Sequence, residues 1–210
     1  MSNCNCPLPS LQAIPGSTCP FELGQLSRFL ITKKASSIFP LTVGSSATDD
    51  PTLSAFWTAL EAPGVSDDTA IVKTPIIGGD PEITGGEPQT QGGGDNSTFN
   101  GKEEYVGNNA SKFTGVFKSL SSAQIDAFAL LSCHDLEVFF INNSGKIYGI
   151  SKDAGVTVEG IPVSALALGG KVNSGFNAKD TNAFQFSLNP GYDRYLYEIV
   201  PETAFNPLTF

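Results

Sequence analysis

The chain has 210 residues, enough for one domain with a substantial core, and carries a formal net charge of −9. Charged residues make up only 16%, whereas Gly (22), Pro (14) and Phe (15) are abundant, which favours a β-rich domain with many turns over a helical bundle. The acidic balance excludes a basic footprint that grips phosphate backbones, and the adjacent pair Lys33-Lys34 is interpreted as a solvated edge. No run approaches the ~20 apolar residues of a membrane span, and the amino terminus lacks the features of a secretory signal.

Residues 1–20 are rich in proline, serine and cysteine, which predicts an irregular N-terminal arm. The cysteines of this arm are Cys4, Cys6 and Cys19. They could offer three thiolates to zinc, with His134 or Cys133 as a fourth ligand, but the second Cys-x2–4-Cys pair of a structural zinc site is missing. The alternative is an arm whose thiols stay reduced or pack against a neighbour. We assign no metal ligand.

Residues 21–210 are interpreted as a single β-rich domain, which begins with a strand around Arg28–Lys33. Phe29 and Ile31 would share one face of this strand. An Asp-Asp-Pro helix-start signal precedes an amphipathic helix predicted over Pro51–Glu61. The apolar face of that helix, at spacing i, i+3, i+4, i+7, comprises Leu53, Phe56, Trp57 and Leu60.

The segment Thr69–Ile77 is strand-like, although Pro75 marks an edge or an end. Residues 78–98 contain three glycine clusters and almost no core-forming side chains, so we expect a Gly-rich loop arm. It is either a mobile linker or an arm that orders against a neighbouring subunit. Asn100-Gly101 predicts the turn of a polar hairpin over Ser97–Val106, which is marginal alone and needs a partner surface.

The strongest agreement between local signals lies in Lys112–Ile150. Alternating apolar residues predict a strand, Ser121 and Gln124 form a capping box, and the apolar positions that follow recur at helical spacing. A second apolar run and an Asn-Asn-Ser-Gly turn then predict a β-hairpin. The predicted faces and arms are Phe113, Gly115 and Phe117 in the strand; Ile125, Phe128, Ala129 and Leu131 in the helix; and Leu136–Ile141 with Lys146–Ile150 in the hairpin. This order places one helix across a mostly antiparallel sheet.

Beyond this unit, Val163–Leu168 is apolar and ambiguous between a strand and a short helix. Ala183–Leu188 alternates cleanly, and an Asn-Pro-Gly turn separates it from the closing strand Arg194–Val200. These last two segments predict a terminal hairpin.

No residue pattern predicts catalysis. The single histidine, His134, lies between Cys133 and Asp135, and adjacent residues cannot converge as a triad requires. At the end of a helix it more often complements the dipole. The carboxylate pairs are also adjacent, so their side chains point apart; they are Asp49-Asp50, Asp67-Asp68 and Glu103-Glu104. We therefore expect no enzyme and no cofactor.

The run 102–150 resembles tail and ring components of tailed bacteriophages that infect Bacteroidetes, the crAss-like phages among them. The residues that carry the resemblance are Tyr105-Val-Gly-Asn-Asn-Ala-Ser-Lys-Phe-Thr-Gly-Val-Phe-Lys, Leu120-Ser-Ser-Ala-Gln-Ile, Leu136-Glu-Val-Phe-Phe-Ile-Asn and Gly145-Lys-Ile. The resemblance implies a tail-tube type of fold, a two-sheet β-sandwich or barrel with one flanking helix and long loop arms. It implies subunits that close into rings, which stack around a channel for the genome. The arm 1–20 and the helix at Pro51–Glu61 have no counterpart there, so a neck or ring role stands beside a tube role.

We therefore expect a mainly β (α+β) structural protein of a phage virion, assembled in the host cytoplasm. Its expected partners are copies of itself and the adjacent tail, neck or portal-proximal proteins, with DNA only passing through the lumen and no membrane. The alternative is a carbohydrate- or receptor-binding β-sandwich that uses the Gly-rich loop as its recognition edge. That alternative predicts exposed aromatic residues near Asp and Asn clusters.

Overall fold

The computed structural model describes residues 23–34, 41–43, 50–61, 70–94, 98, 101–173, 175–176 and 178–209. Within these ranges the chain forms thirteen β-strands, two α-helices and a 3-10 helix at Tyr192–Tyr195. The strands are β1 (Leu26–Lys33), β2 (Leu41–Thr42), β3 (Ile71–Lys73), β4 (Glu82–Thr84), β5 (Pro88–Gln91), β6 (Glu104–Asn108), β7 (Ser111–Lys118), β8 (Leu136–Asn142), β9 (Ile147–Ile150), β10 (Thr157–Val158), β11 (Ile161–Val172), β12 (Thr181–Leu188) and β13 (Leu196–Ile199). The helices are α1 (Ser54–Glu61) and α2 (Ser122–Leu131). The predicted mainly β class is confirmed. The arm 1–20 lies outside the described residues.

The largest sheet has nine antiparallel strands with β8 at its centre. One edge of β8 pairs with β1 along its whole length, from Lys33↔Leu136 to Leu26↔Asn142. The other edge pairs first with β11 and then with β9, so the sheet divides there into two branches. One branch continues through β12 and β7 to β4, and the other continues to β13. All seven side chains of β8 are buried, which explains its nearly unbroken apolar sequence.

The longer branch curls back towards β1 and closes a barrel. The gap between β1 and β7 is bridged by the chain that follows β3. The amide of Ile77 donates to the Ser27 carbonyl of β1 at 2.8 Å, and Ile77 also pairs with Phe117 of β7. The Gly78 amide donates to the Val116 carbonyl at 2.7 Å. Every strand of the ring β1–β8–β11–β12–β7 therefore has a hydrogen-bonded neighbour on each side over part of its length.

Aromatic side chains fill the barrel. Phe117 and Phe184 stack with ring centroids 4.2 Å apart, and Phe113 and Phe186 stack at 4.7 Å. Phe29 of β1 contacts all four rings at centroid distances of 5.4–6.2 Å. The alternation of Phe29 and Ile31 that the sequence predicts is confirmed, since both side chains lie in this core.

A second core lies on the opposite face of β1, β8 and β9, where α1 and the C-terminal residues pack. The predicted helix begins at Ser54 rather than at Pro51, because Asp50 Oδ1 accepts hydrogen bonds from the amide and hydroxyl of Thr52 and holds a turn there. Trp57 is fully buried, and its indole N–H donates to the Pro51 carbonyl at 2.8 Å. The residues that form this core include Leu30, Phe56, Trp57, Leu60, Phe139, Ile141, Ile147 and Ile199.

Helix α2 closes one side of the barrel core. The capping box is confirmed: Ser121 Oγ accepts from the Gln124 amide, and the Gln124 side chain accepts from the Ser121 amide. Phe128 is buried and its ring lies 5.2 Å from that of Phe117. The predicted apolar face is narrower than expected, because Ala129 is exposed. Whereas the resemblance implied one flanking helix, the described chain has two, one on each core.

The expectation of a loop throughout residues 78–98 is wrong for seven of them, which form β4 and β5. β4 pairs with β7, and β5 pairs with β6 in a register that sets Gln91 opposite Glu104. A side chain at Gly86 would collide with the Asn109 carbonyl, so this glycine permits a close approach of two backbones. The hairpin predicted over Ser97–Val106 is wrong in its pairing, because its second arm lies in β6, which pairs with β5. Ser97, Phe99 and Asn100 lie outside the described residues.

The predicted terminal hairpin is also wrong. β12 has both edges occupied, by β11 and β7, and β13 pairs with β9 instead. A 3-10 turn at Tyr192–Tyr195 separates the two strands and redirects the chain. The ambiguous segment Val163–Leu168 is a strand, part of β11.

Candidate assembly surfaces

Among the described residues, the side chains that the sequence offers for chemistry do not converge. Cys133, His134 and Asp135 are all exposed in the turn after α2. Within the described residues, no group of three or more His, Cys, Asp or Glu side chains is placed to hold a metal ion. Cys4, Cys6 and Cys19 fall outside those residues, and so do Asp49, Asp67 and Asp68 of the carboxylate pairs. Glu103 and Glu104 are exposed on the β5–β6 hairpin.

One buried carboxyl group escaped the sequence analysis. Glu137 is only 6% exposed in β8, and burial, with a smaller contribution from Glu159, raises the pKa of its side chain to about 7. The Gly160 amide donates a hydrogen bond to it. Its cross-strand neighbour Thr32 has a buried hydroxyl without a hydrogen-bond partner. The signal that could have identified Glu137 is its place as the single charged residue in an apolar run.

A shallow groove separates α2 from the edge strand β3. It has a volume of about 250 Å³ and its lining includes Ile31, Thr32, Val72, Leu131, His134 and Leu136. Its lining is mostly aliphatic and includes no carboxylate. The groove therefore brings no acid–base pair to His134. In the described part of the chain, no helix is long and apolar enough to cross a membrane.

The first surface that lacks a partner among the described residues is the acidic hairpin, which we define as residues 87–91 and 102–108. Its two strands have one half-buried residue, Gly107, and every other side chain is exposed. Tyr105 and Val106 are 62% and 61% exposed. Three carboxylates accompany one lysine here: Glu87, Glu103, Glu104 and Lys102.

The second such surface is the lysine tip, which we define as Lys118 with the described residues of 170–180, at the turn between β11 and β12. Phe176 is fully exposed and Val172 is 55% exposed. Three exposed lysines accompany one carboxylate: Lys118, Lys171, Lys179 and Asp180. The ion pair within the tip is weak, since Lys171 Nζ lies 4.0 Å from Asp180 Oδ2. No sequence pattern above predicts this surface, although a phenylalanine in a polar turn was a signal for it.

The two surfaces lie at opposite ends of the barrel. Strand β7 pairs with β12 from Leu188↔Ser111 to Thr181↔Lys118. The acidic hairpin continues from the Ser111 end, and the lysine tip lies at the Lys118 end. At about 3.3 Å per residue, these ends are roughly 23 Å apart. A contact between the two surfaces therefore needs two copies of the chain.

Comparisons with known proteins give similarity to solved structures alone. No family model and no curated protein matches the chain. Among solved structures, it is similar to a chain of the virion of a native gene transfer agent particle, with 11% identity over 59% of this chain and 87% of that chain, and a TM-score of 0.35. It is also similar to a chain of the anti-feeding prophage baseplate, with 10% identity over 89% of this chain and 99% of that chain, and a TM-score of 0.31. Neither likeness bears on the host, so a phage of Bacteroidetes remains a prediction of the resemblance. This chain is thus similar to parts of a virion and of a phage-like baseplate.

Proposed function

We propose that this chain is a structural subunit of a phage tail or neck that closes into rings with copies of itself. The observation that carries the proposal is the acidic hairpin. A two-stranded ribbon whose strands have no fully buried residue within the described part of the chain is marginally stable and gains most from a neighbour. A closed ring supplies such a neighbour, because its head-to-tail interface joins different surfaces of successive subunits.

A role in passing DNA is supported by the uncovered face of β7, β11 and β12. A cleft there, of about 490 Å³, is lined by small or uncharged side chains and by one carboxylate, Asp80. The residues that line it include no lysine or arginine. The cleft itself therefore does not attract phosphates, which suits a lumen through which DNA must slide, whereas Lys112 and Lys118 lie exposed at the two ends of β7. In the proposed virion, the ring stacks on adjacent tail, neck or portal-proximal rings.

Sedimentation velocity of the purified chain, with negative-stain microscopy of the heaviest species, tests this function. We expect rings or short tubes with an open centre. A chain that remains monomeric at every concentration up to the limit of solubility, both alone and with seeds, would contradict the proposal. Because some ring proteins assemble only on a preceding ring, the same measurement is repeated with purified virion-tail fragments as seeds.

A carbohydrate-binding function is the second candidate, and one arrangement favours it. The hydroxyl of the exposed Tyr105 donates a hydrogen bond to Asn108 Oδ1 at 2.9 Å. Beside it, a cleft of about 280 Å³ is lined by Asn108, Asn109, Tyr192 and Asp193, among others. Amide and carboxylate groups beside an aromatic ring are typical of sugar recognition.

A glycan array with the monomeric chain distinguishes the two candidates. Binding that is lost in Tyr192→Ala and retained in Tyr195→Ala would favour the carbohydrate function. Tyr195 is the control because it is exposed and lies outside the lining of the cleft. Circular dichroism checks that Tyr192→Ala still folds, since the Tyr192 ring packs against the barrel core. Absence of binding combined with ring formation would favour the structural function.

A further inference from the structure

We infer that the acidic hairpin of one copy binds the lysine tip of the next, so that these two surfaces form the contact between subunits. The inference rests on the self-assembly proposed above and assigns residues to it. Its basis is complementarity in charge, in apolar exposure and in position, each of which is observed independently.

Charge is the first complementarity. In a chain with a net charge of −9, three of the twelve basic residues lie in the lysine tip beside one described carboxylate. The acidic hairpin has the opposite balance, with three carboxylates and one lysine. Opposite potentials on two surfaces steer their encounter and fix its orientation, whereas like surfaces repel. Contact between two acidic hairpins or between two lysine tips is therefore unfavourable.

Apolar exposure is the second complementarity. Large apolar side chains lie among the charged residues of both surfaces: Tyr105 and Val106 in the hairpin, and Val172 and Phe176 in the tip. A fully exposed phenylalanine leaves its whole ring in water, and its burial against an aromatic or aliphatic partner is favourable. Aromatic residues are enriched at the centres of protein–protein interfaces, and the rims of such interfaces are polar.

The position of the two surfaces is the third complementarity. The two surfaces project from opposite ends of β7, so one copy cannot join them to each other. Joining different surfaces of successive copies is a heterologous contact, which closes into a ring or continues as a filament according to the rotation between copies. A symmetric dimer would instead bring the same surface of both copies together.

Charge exchange tests this contact. The hairpin variant carries Glu103→Lys and Glu104→Lys, and the tip variant carries Lys171→Glu and Lys179→Glu. All four side chains are exposed, so each variant is expected to fold. We expect each variant alone to require at least about tenfold more protein for half-maximal assembly at low ionic strength, because like charges then face each other. The chain carrying all four substitutions restores assembly, since the charges are complementary again.

A mixture of the hairpin variant and the tip variant gives a more specific test of the contact. In an equimolar mixture of the hairpin variant and the tip variant, each acidic surface can face a basic one if the two variants alternate. We therefore expect the mixture to assemble where neither component does alone. A matched control for the hairpin variant, with Asp126→Lys and Glu202→Lys, raises the net charge by the same four units at exposed residues outside both surfaces, and should assemble like the wild type.

The outcomes separate the contact from the function. If the wild type forms rings and the two variants form them equally well, the contact is elsewhere and the ring function stands. If the variants fail and neither the four-substitution chain nor the mixture recovers, the two surfaces do not bind each other. If the wild type does not assemble, alone or on seeds, both the ring function and this contact are overturned. Circular dichroism of every variant checks that a lost assembly is not a lost fold.

Discussion

The barrel and its two protrusions use the same kinds of side chain in opposite ways. Phe113 of β7 is fully buried among other aromatic rings, whereas Phe176, in the turn between β11 and β12, is fully exposed. Val138 is buried in β8, while Val106 is mostly exposed in β6. The difference teaches that burial here depends on whether a sheet closes over the residue. The barrel is stabilised by its own chain, and the protrusions are available to another.

The largest expected difference is between the two phenylalanines. Phe113→Ala removes a ring that stacks on Phe186 and lies within 6.2 Å of Phe29, so we expect a loss of about 3–5 kcal/mol in the free energy of unfolding. Phe176→Ala should change it by less than about 0.5 kcal/mol. Urea unfolding followed by circular dichroism measures both. Equal losses would mean that the tip is part of the core.

The two valines give the same contrast with a smaller deletion. Val138→Ala removes two buried methyl groups and leaves a cavity, for an expected loss of about 2–3 kcal/mol. Val106→Ala should lie within about 0.5 kcal/mol of the wild type in the monomer, and should weaken assembly instead. The prediction fails if the free energy of unfolding of the monomer responds to Val106 as strongly as to Val138.

The barrel and the tip can also be compared by adding atoms, with a glycine-to-alanine substitution in each. At Gly115 the new Cβ would lie 2.7 Å from two ring atoms of Phe184, and we expect a loss of about 1–3 kcal/mol. At Gly170 nothing lies within 4 Å, so alanine should be neutral or stabilise the fold by up to about 1 kcal/mol through the unfolded chain. Thermal unfolding of Gly115→Ala and Gly170→Ala tests this. A stabilised Gly115→Ala would show that the barrel is not tightly packed.

The smallest effect concerns the polar group inside the barrel wall. The pKa of Glu137 is raised from 4.5 to about 7 in the folded state, so between these values the unfolded chain has lost the proton that the folded chain retains. Stability therefore falls as pH rises through this window. Glu137→Gln removes the effect, and we expect a gain on the order of 1 kcal/mol at about pH 8 that disappears at about pH 4. A gain of the same size at both pH values would contradict this cause.

The sequence predicted the elements whose signals are local. The capping box of α2 needs only Ser121 and Gln124 at the right spacing, because its hydrogen bonds lie within one turn. The alternation of Phe29 with Leu30 assigned each to the correct face of β1, because successive side chains of a strand point to opposite sides. The apolar face of α1 was predicted because residues at i, i+3, i+4 and i+7 of a helix lie on one face.

The pairing of strands was decided only by the tertiary structure. Neither the sequence of β12 nor that of β13 specifies its partner strand, so the terminal hairpin predicted from their proximity in the chain is wrong. The glycines of residues 78–98 indicated a loop, yet β4 pairs with β7 and β5 pairs with β6. Gly86, between β4 and β5, permits the close approach to the Asn109 backbone. The positions of the acidic hairpin and the lysine tip are likewise decided by the pairing of distant strands, because that pairing places the two surfaces at the two ends of the barrel.

The sequence by itself thus determined residue type, local turn and the face of each element, since these depend on contacts within a few residues. Only the tertiary structure decided which faces are covered by the chain and which remain exposed. The physical reason is that burial depends on pairing between distant strands, and local propensity does not encode that choice. Phe113 and Phe176 are alike in sequence and differ only in what the barrel places over them.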